Sequence, residues 1–194
     1  ISLQRPKRDN TDLIVQFHDL KRVKRDEIIL PDNLLETIDR NLLSFFQHAA
    51  ALRSAGHGTR HGVLLHGPPG TGKTLVTSYI AGHVGATIFL VTGRQYALLR
   101  PTCQLARMLA PSLVILEDVD LIAVDRRRNT HTGLLHELLD EMDGLTTDAE
   151  VVFLLTTNRP EILEPALASR PGRVDQAIYF PLPDHESRMR LFRR

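Results

Sequence analysis

The residues with the clearest chemical meaning lie in one octapeptide, Gly67–Thr74, which reads Gly-Pro-Pro-Gly-Thr-Gly-Lys-Thr. It fits the pattern G-x-x-x-x-G-K-[ST], in which glycines let the backbone turn sharply and leave N–H groups that surround an anion. In this pattern Lys73 reaches the β- and γ-phosphates of a nucleotide, and the hydroxyl of Thr74 contacts Mg²⁺. The predicted nucleotide-binding residues are Gly67, Pro68, Pro69, Gly70, Thr71, Gly72, Lys73, Thr74 and Leu75.

A second group of polar residues follows two apolar runs. Leu113–Leu116 leads directly into Glu117 and Asp118, and Val151–Leu155 leads to Asn158. Phosphoryl transfer needs a bound metal, charge neutralisation and a positioned nucleophile. We predict that Glu117 completes the Mg²⁺ shell with the loop threonine, that Asp118 orients or deprotonates the attacking water, and that Asn158 holds that water. The plainer alternatives are two solvated acids and a turn residue.

The hydrophobic pattern predicts the elements that bring these residues together. Short apolar runs typical of buried strands alternate with stripes typical of amphipathic helices. The predicted strands are Gly62–His66, Thr87–Val91, Leu113–Leu116, Val151–Leu155 and Gln176–Phe180, and one helical pattern runs from Asp32 until Gly56 interrupts it. This alternation predicts an α/β fold with a parallel sheet, whose ligands bind outside the carboxyl ends of the strands. One crevice can therefore contain the loop, the acidic pair and Asn158.

The composition limits the class of protein. Hydrophobic residues make up 42% of the 194 positions, as in an ordinary globular domain, and no apolar run approaches the length of a membrane helix. Cys103 is the single cysteine, which excludes a disulfide framework and favours a reducing, cytoplasmic setting. The net charge of +1 does not favour nucleic acid as a partner. Because the chain begins at Ile1 and ends inside a helical pattern, we expect a piece of a longer protein.

The first 26 residues carry a basic stretch around a short predicted strand, Leu13–Phe17. A lead-in with a solvated charged face is the favoured interpretation, and a contact for nucleic acid or an acidic partner is the alternative. The basic residues are Arg5, Lys7, Arg8, Lys21, Arg22, Lys24 and Arg25.

Several motifs occur in a recognisable order: Gly67–Thr74, Leu113–Asp120, Thr156–Asn158, Ser169–Arg173 with Asp175, and Phe180–Asp184. This order resembles an AAA ATPase module of the AAA+ superfamily, and the segment from Asn158 to Asp184 resembles its second region of homology. The resemblance implies a P-loop NTPase fold, a three-layer αβα sandwich with a five-stranded parallel sheet. It divides the chain into a basic lead-in (1–27), a nucleotide-binding αβα domain (28–184) and the start of a linker to a helical lid (185–194).

The resemblance also implies roles and partners. Asn158 would be sensor one, and Arg170 and Arg173 would be arginine fingers acting on ATP bound by the neighbouring subunit. Members of the family form hexameric rings that use ATP and Mg²⁺ to remodel macromolecules, so we expect a protein substrate. Because an arginine supplied in trans is worth roughly 10³ to 10⁵ in rate, we expect weak hydrolysis from this segment alone.

The chain departs from the family pattern in three places. The family usually reads Asp-Glu where this chain has Glu117-Asp118, although some members, including a mitochondrial membrane group, carry Glu-Asp. The family's pore loop has an aromatic–hydrophobic–Gly triplet, whereas Gly93–Pro101 has Tyr96 as its only aromatic residue and no glycine after it. In the third place, we expect the family's lid and its sensor-two arginine to lie outside this piece.

Three functions are compatible with these features. The first is an AAA ATPase that remodels protein, the second a nucleotide-regulated assembly module with little turnover, and the third an ATPase acting on nucleic acid. The swapped acidic pair supports the second. The basic N-terminal stretch and Arg126–Arg128 support the third, but no stacking aromatic residues are interleaved with them.

Overall fold

The computed structural model describes residues 1–4, 14–19, 22–58, 61–121, 132–143, 150–161, 163 and 174–193. Within them the strands are β1 (Ser2–Gln4), β2 (Ile14–Gln16), β3 (His61–His66), β4 (Thr87–Thr92), β5 (Ser112–Glu117), β6 (Val151–Thr157) and β7 (Gln176–Tyr179). The α-helices whose two ends lie within these residues are α1 (Asp32–Asn41), α2 (Leu43–Ser54), α3 (Lys73–His83), α4 (Leu99–Met108), α5 (Thr132–Asp143) and α6 (His185–Phe192). Arg25–Glu27 and Gly93–Leu98 form short 3₁₀ turns.

A five-stranded sheet lies at the centre of this described structure. Its strand order is β4-β5-β6-β3-β7, and every neighbouring pair is parallel. The inner strands β5 and β6 consist almost wholly of buried residues, as their uninterrupted apolar sequences predict. The predicted P-loop α/β fold with a five-stranded parallel sheet is therefore confirmed.

The strand register determines which loops meet at the carboxyl edge of the sheet. The last residue of β3, His66, lies opposite Thr157 at the end of β6, and Leu116 of β5 lies opposite Leu155 of the same strand. The segments that follow β3, β5 and β6 therefore leave the sheet side by side. This is the edge at which open parallel sheets bind ligands.

Alternating side chains of the strands divide the core into two layers. On one face, Val114 and Leu116 of β5 pack with α4 and α5, whereas on the other face Leu113 and Ile115 pack with α1 and α3. Each layer consists of buried apolar side chains, which provide the main driving force for folding. The arrangement is the expected three-layer αβα sandwich.

The helical pattern that begins at Asp32 is not one helix, as the sequence predicted, but two. The α-helix is interrupted at Leu42, whose φ is −117° and which lies between α1 and α2. Leu42 is fully buried, and its N–H still donates to the carbonyl of Ile38 at 3.0 Å. The break between the two helices therefore leaves this apolar side chain in the core.

The N-terminal residues cover the free edge of β4. The amino group of Ile1 donates to the Ile88 carbonyl at 2.8 Å, and the Leu90 N–H donates to the Ile1 carbonyl at 2.9 Å. β1 continues into this contact and pairs antiparallel with β2, which coincides with the predicted strand near Leu13–Phe17. Within the described residues, no helix combines the length and apolar character needed to cross a membrane.

Candidate functional site

The phosphate loop connects β3 directly to α3, and its glycines have conformations that other residues rarely adopt. Gly67 has a φ of 146°, and a Cβ at this position would lie 2.3 Å from the backbone oxygen of Phe180. Gly70 and Gly72 have φ values of 77° and 95°. These values lie in the left-handed region that favours glycine. The loop therefore has the strand–turn–helix context that a phosphate-binding loop requires.

Lys73, the first residue of α3, is almost fully buried against its own loop. Its Nζ donates to the carbonyl oxygens of Gly67 and Pro68 at 2.7 and 2.8 Å. Burial lowers the pKa of Lys73, and the carboxylates of Asp118 and Asp120 oppose this effect. A phosphate at the loop would replace neutral carbonyl acceptors with charged ones, and charge-assisted hydrogen bonds are the stronger kind.

Thr74 and Glu117 bring together two oxygen atoms that can act as metal ligands. The Thr74 side chain hydrogen-bonds to the Glu117 carboxylate. Burial raises the pKa of Glu117 and the neighbouring Asp118 raises it further, whereas the Thr74 hydrogen bond acts in the opposite direction. Mg²⁺ is typically bound by one or two carboxylates together with substrate phosphates and water. The oxygens of Thr74 and Glu117 fit this ion. Among the described residues, no cluster of three or more His, Cys, Asp and Glu side chains could hold a metal ion with protein ligands alone.

Asp118 follows β5 in an unusual backbone conformation. Its φ of 55° lies in the left-handed region, which aspartate tolerates better than most side chains. Its N–H donates to Thr156 Oγ1 at 3.1 Å, and its carboxylate accepts a hydrogen bond of 3.3 Å from Asn158 Nδ2. The structure thus brings Asp118 and Asn158 together, although 39 residues separate them in the chain.

Asp120 is a member of the site that sequence reasoning missed. It is only 6% exposed, and its Oδ1 accepts hydrogen bonds from Thr157 Oγ1 at 2.8 Å and from the Asn158 N–H at 3.2 Å. These contacts fix the backbone of Asn158. The signal that could have identified Asp120 is a third acid only two residues after Asp118. We refer to Glu117–Asp120 as the acidic turn.

Two concave regions adjoin the phosphate loop. A crevice of about 360 Å³ is lined by Lys73, Thr74, Asp118, Thr156 and Asn158 together with loop residues and Leu75. An apolar pocket of about 230 Å³ shares Gly70, Gly72 and Leu75 with the crevice, and neither its lining segments nor its position was predicted. Its lining comes from Glu27–Pro31, Gly70–Gly72, Leu75 and Pro181–Asp184, with Ser187 and Leu191. The crevice offers charge and polar groups, and the pocket offers apolar surface.

Tyr96 is not placed to contact a macromolecule. Its side chain is 4% exposed and packs in the core layer that contains α4 and α5. Its hydroxyl donates to the backbone oxygen of Glu117 at 2.5 Å. The one aromatic residue in the segment where the family carries its pore loop is therefore directed into the domain.

The two predicted arginine fingers, Arg170 and Arg173, lie outside the described residues, as does Arg126–Arg128. Their assigned roles remain predictions. Every other predicted site residue is described, and all lie around the crevice or in the phosphate loop itself.

The fold and the loop together define a P-loop nucleotide-binding domain. A family model described as "ATPase family associated with various cellular activities (AAA)" matches residues 63–182. The chain belongs to the AAA family.

Curated relatives are much longer than this chain. A 26S proteasome regulatory subunit 6B homolog of Encephalitozoon cuniculi is 37% identical over 81% of this chain and 43% of its own length. An ATP-dependent zinc metalloprotease FtsH 3 of Symbiobacterium thermophilum is 33% identical over 90% of this chain and 30% of its own. A proteasome-activating nucleotidase of Thermococcus kodakarensis is 36% identical over 76% of this chain and 41% of its own length. This chain therefore spans less than half the length of each.

Proposed function

We propose that this chain is an ATP-binding and Mg²⁺-dependent ATP-hydrolysing module of a ring-forming, hexameric remodelling ATPase that acts on protein in the cytoplasm. The observation that carries the proposal is the crevice, which contains Lys73, Thr74, Asp118 and Asn158 within one space. Relatives named as a proteasome regulatory subunit and an ATP-dependent protease support a protein substrate. Family membership supports the nucleotide.

Each residue of the crevice has a task in this proposal. The loop N–H groups and Lys73 neutralise the phosphates, while the adjacent oxygens of Thr74 and Glu117 hold Mg²⁺. When bound, the ion stabilises the negative charge that develops on the phosphate oxygens. Asp118 accepts a proton from the attacking water or orients it, and Asn158 donates a hydrogen bond that fixes the Asp118 carboxylate.

The apolar pocket is the proposed site of the nucleobase. It shares Gly70, Gly72 and Leu75 with the crevice, so a nucleotide can extend from one into the other across the loop. Apolar lining with a few polar groups is typical of small-molecule sites. Arg170 and Arg173 are proposed to act on the nucleotide of a neighbouring subunit, which makes hydrolysis by an unassembled chain slow.

A second candidate is a nucleotide-regulated assembly module with little turnover. The observation that favours it is the order Glu117-Asp118, because the residue at the water-orienting position is one methylene shorter than the usual glutamate. Phosphate release from an assembled protein separates the two candidates. The nucleic-acid alternative stays a prediction, because Arg126–Arg128 and part of the basic N-terminal stretch lie outside the described residues.

Isothermal titration with ATP and Mg²⁺ tests the proposed site. We expect Lys73→Ala to weaken ATP affinity by about ten-fold or more, because it removes a charge from a buried position where water screens it little. Lys24→Ala removes a lysine at an exposed position and serves as the matched control. Equal affinity in the parent and Lys73→Ala would contradict the assignment of the loop.

A further inference from the structure

Tyr96 occupies the 3₁₀ turn between β4 and α4, yet it contacts the strand that carries the acidic turn. The pairing of β4 with β5 ends at Thr92, which lies opposite Glu117. Beyond that pair β4 leaves the sheet, and the Tyr96 hydroxyl supplies a donor to the Glu117 backbone oxygen at 2.5 Å. The Tyr96 side chain therefore adds one hydrogen bond to those through which β4 pairs with β5.

The opposite side of the acidic turn is held by β6. The N–H of Asp118 donates to Thr156 Oγ1 at 3.1 Å, and the N–H of Val119 donates to the Thr156 carbonyl at 3.0 Å. Glu117 and Asp118 therefore lie between two supports, Tyr96 on the β4 side and Thr156 on the β6 side. Tyr96 donates to the oxygen of the peptide bond that joins Glu117 to Asp118.

The Tyr96 hydroxyl is a phenol, and an ordinary phenol carries its proton at neutral pH. A protonated phenol must donate, and the Glu117 carbonyl is the acceptor it has. Without the Tyr96 hydroxyl, the Glu117 carbonyl would lose the hydrogen bond that this donor supplies.

We propose that Tyr96 is a positioning residue for ATP hydrolysis: its hydroxyl fixes the Glu117–Asp118 peptide and so holds both carboxylates in the crevice. This inference rests on the proposed function. The segment between β4 and α4 thereby supports the ATP site of its own subunit. Loss of one supporting hydrogen bond near a metal and a reacting water typically costs about 10- to 100-fold in activity or metal affinity.

The test compares Tyr96→Phe with Tyr79→Phe. Tyr79 is 3% exposed, belongs to the other core layer, and donates its hydroxyl to Asp39 at 3.2 Å. Both variants lose one buried hydroxyl and keep the ring, so thermal unfolding should shift similarly in the two. Any difference between them in the readouts below therefore reports position and not a general loss of stability.

The first readout is hydrogen–deuterium exchange at the amides of Asp118 and Val119, without nucleotide. We expect exchange at least about ten-fold faster in Tyr96→Phe and unchanged in Tyr79→Phe, because only the first variant frees the acidic turn. Unchanged exchange in Tyr96→Phe would overturn the proposal. This readout does not depend on the proposed function.

The second readout uses ATP. We expect Tyr96→Phe to lower kcat about ten-fold, to reduce the gain in ATP affinity that Mg²⁺ produces, and to leave ATP affinity in EDTA within about two-fold of the parent. Parent-like kcat in Tyr96→Phe, or an equal loss in Tyr79→Phe, would overturn the role. A parent chain that binds no ATP would instead overturn the proposed function, and the exchange measurement would still decide whether Tyr96 holds the turn.

Discussion

The phosphate loop and the acidic turn lie at the same edge of the sheet, but different parts of the chain hold them in place. The loop depends on its own backbone, with glycines at positive φ and Lys73 bonded to the carbonyls of Gly67 and Pro68. The acidic turn depends on side chains from elsewhere, Tyr96 after β4 and Thr156 in β6. One half of the site is therefore mostly a local structure, joined to β6 where the Gly67 N–H donates to the Thr157 carbonyl at 3.3 Å. The other half is a network between distant segments of the folded chain.

Substituting a loop glycine should have the largest effect. In Gly67→Ala the new Cβ would lie 2.3 Å from the Phe180 backbone oxygen, at a φ that disfavours side chains. We expect a loss of at least about 2 kcal/mol in the free energy of unfolding, together with loss of ATP binding. Thermal unfolding measures the first and titration the second.

Gly58→Ala is the control for that change, because a Cβ there meets nothing within 4 Å. If Gly67→Ala were as stable as Gly58→Ala, backbone geometry would not be what holds the loop.

Substituting a buried acid should disturb the network at its centre. Asp120→Asn removes the charge that accepts hydrogen bonds from Thr157 Oγ1 and the Asn158 N–H. We expect a loss of about 2 kcal/mol in unfolding free energy, and a fall in kcat that exceeds any change in ATP affinity. Denaturant unfolding and phosphate release measure these quantities.

The exposed Asp19 provides the matched control, Asp19→Asn. Equal stability and equal kcat in the two variants would show that Asp120 does not support the site.

The pH dependence of stability should give the smallest effect. Because the pKa of Glu117 is raised in the folded chain, its contribution to stability is fully present below the ordinary glutamate value and is lost as pH rises through the raised value. Glu117→Gln removes this dependence. We therefore expect the Tm of Glu117→Gln to rise relative to the parent as pH increases from about 4 upward.

The same substitution at the exposed Glu36 controls for the loss of a carboxylate. A Tm difference between Glu117→Gln and the parent that stays constant with pH would contradict the assigned environment of Glu117.

The sheet was predictable because its signals are local. Runs such as Leu113–Leu116 and Val151–Leu155 are buried on both faces, and their apolar sequence reports this directly. The interruption at Leu42 was not predictable, because the apolar stripe continues through it. Periodicity records which side chains are buried and does not record where one helix ends and the next begins.

The site likewise has parts that the sequence predicts and parts that it does not. The phosphate loop is contiguous in sequence, so its pattern could be recognised. Asp120 and the apolar pocket depend on contacts between distant segments, since the pocket combines residues near Ile28 and Leu182 with the loop. Tyr96 was the only aromatic residue where the family places its pore loop, and only the fold reveals that it is directed inward.

In the proposed function the crevice hydrolyses ATP, with Asp118 acting on the attacking water and Glu117 on Mg²⁺. Its most direct test is single-turnover release of radiolabelled phosphate from Mg-ATP by Asp118→Asn, with ATP affinity measured in parallel. Asparagine keeps the size of the side chain and removes its basicity. We predict ATP affinity within about two-fold of the parent and a rate lowered by at least about 10²-fold. Hydrolysis at the parental rate in Asp118→Asn would contradict the role proposed for Asp118.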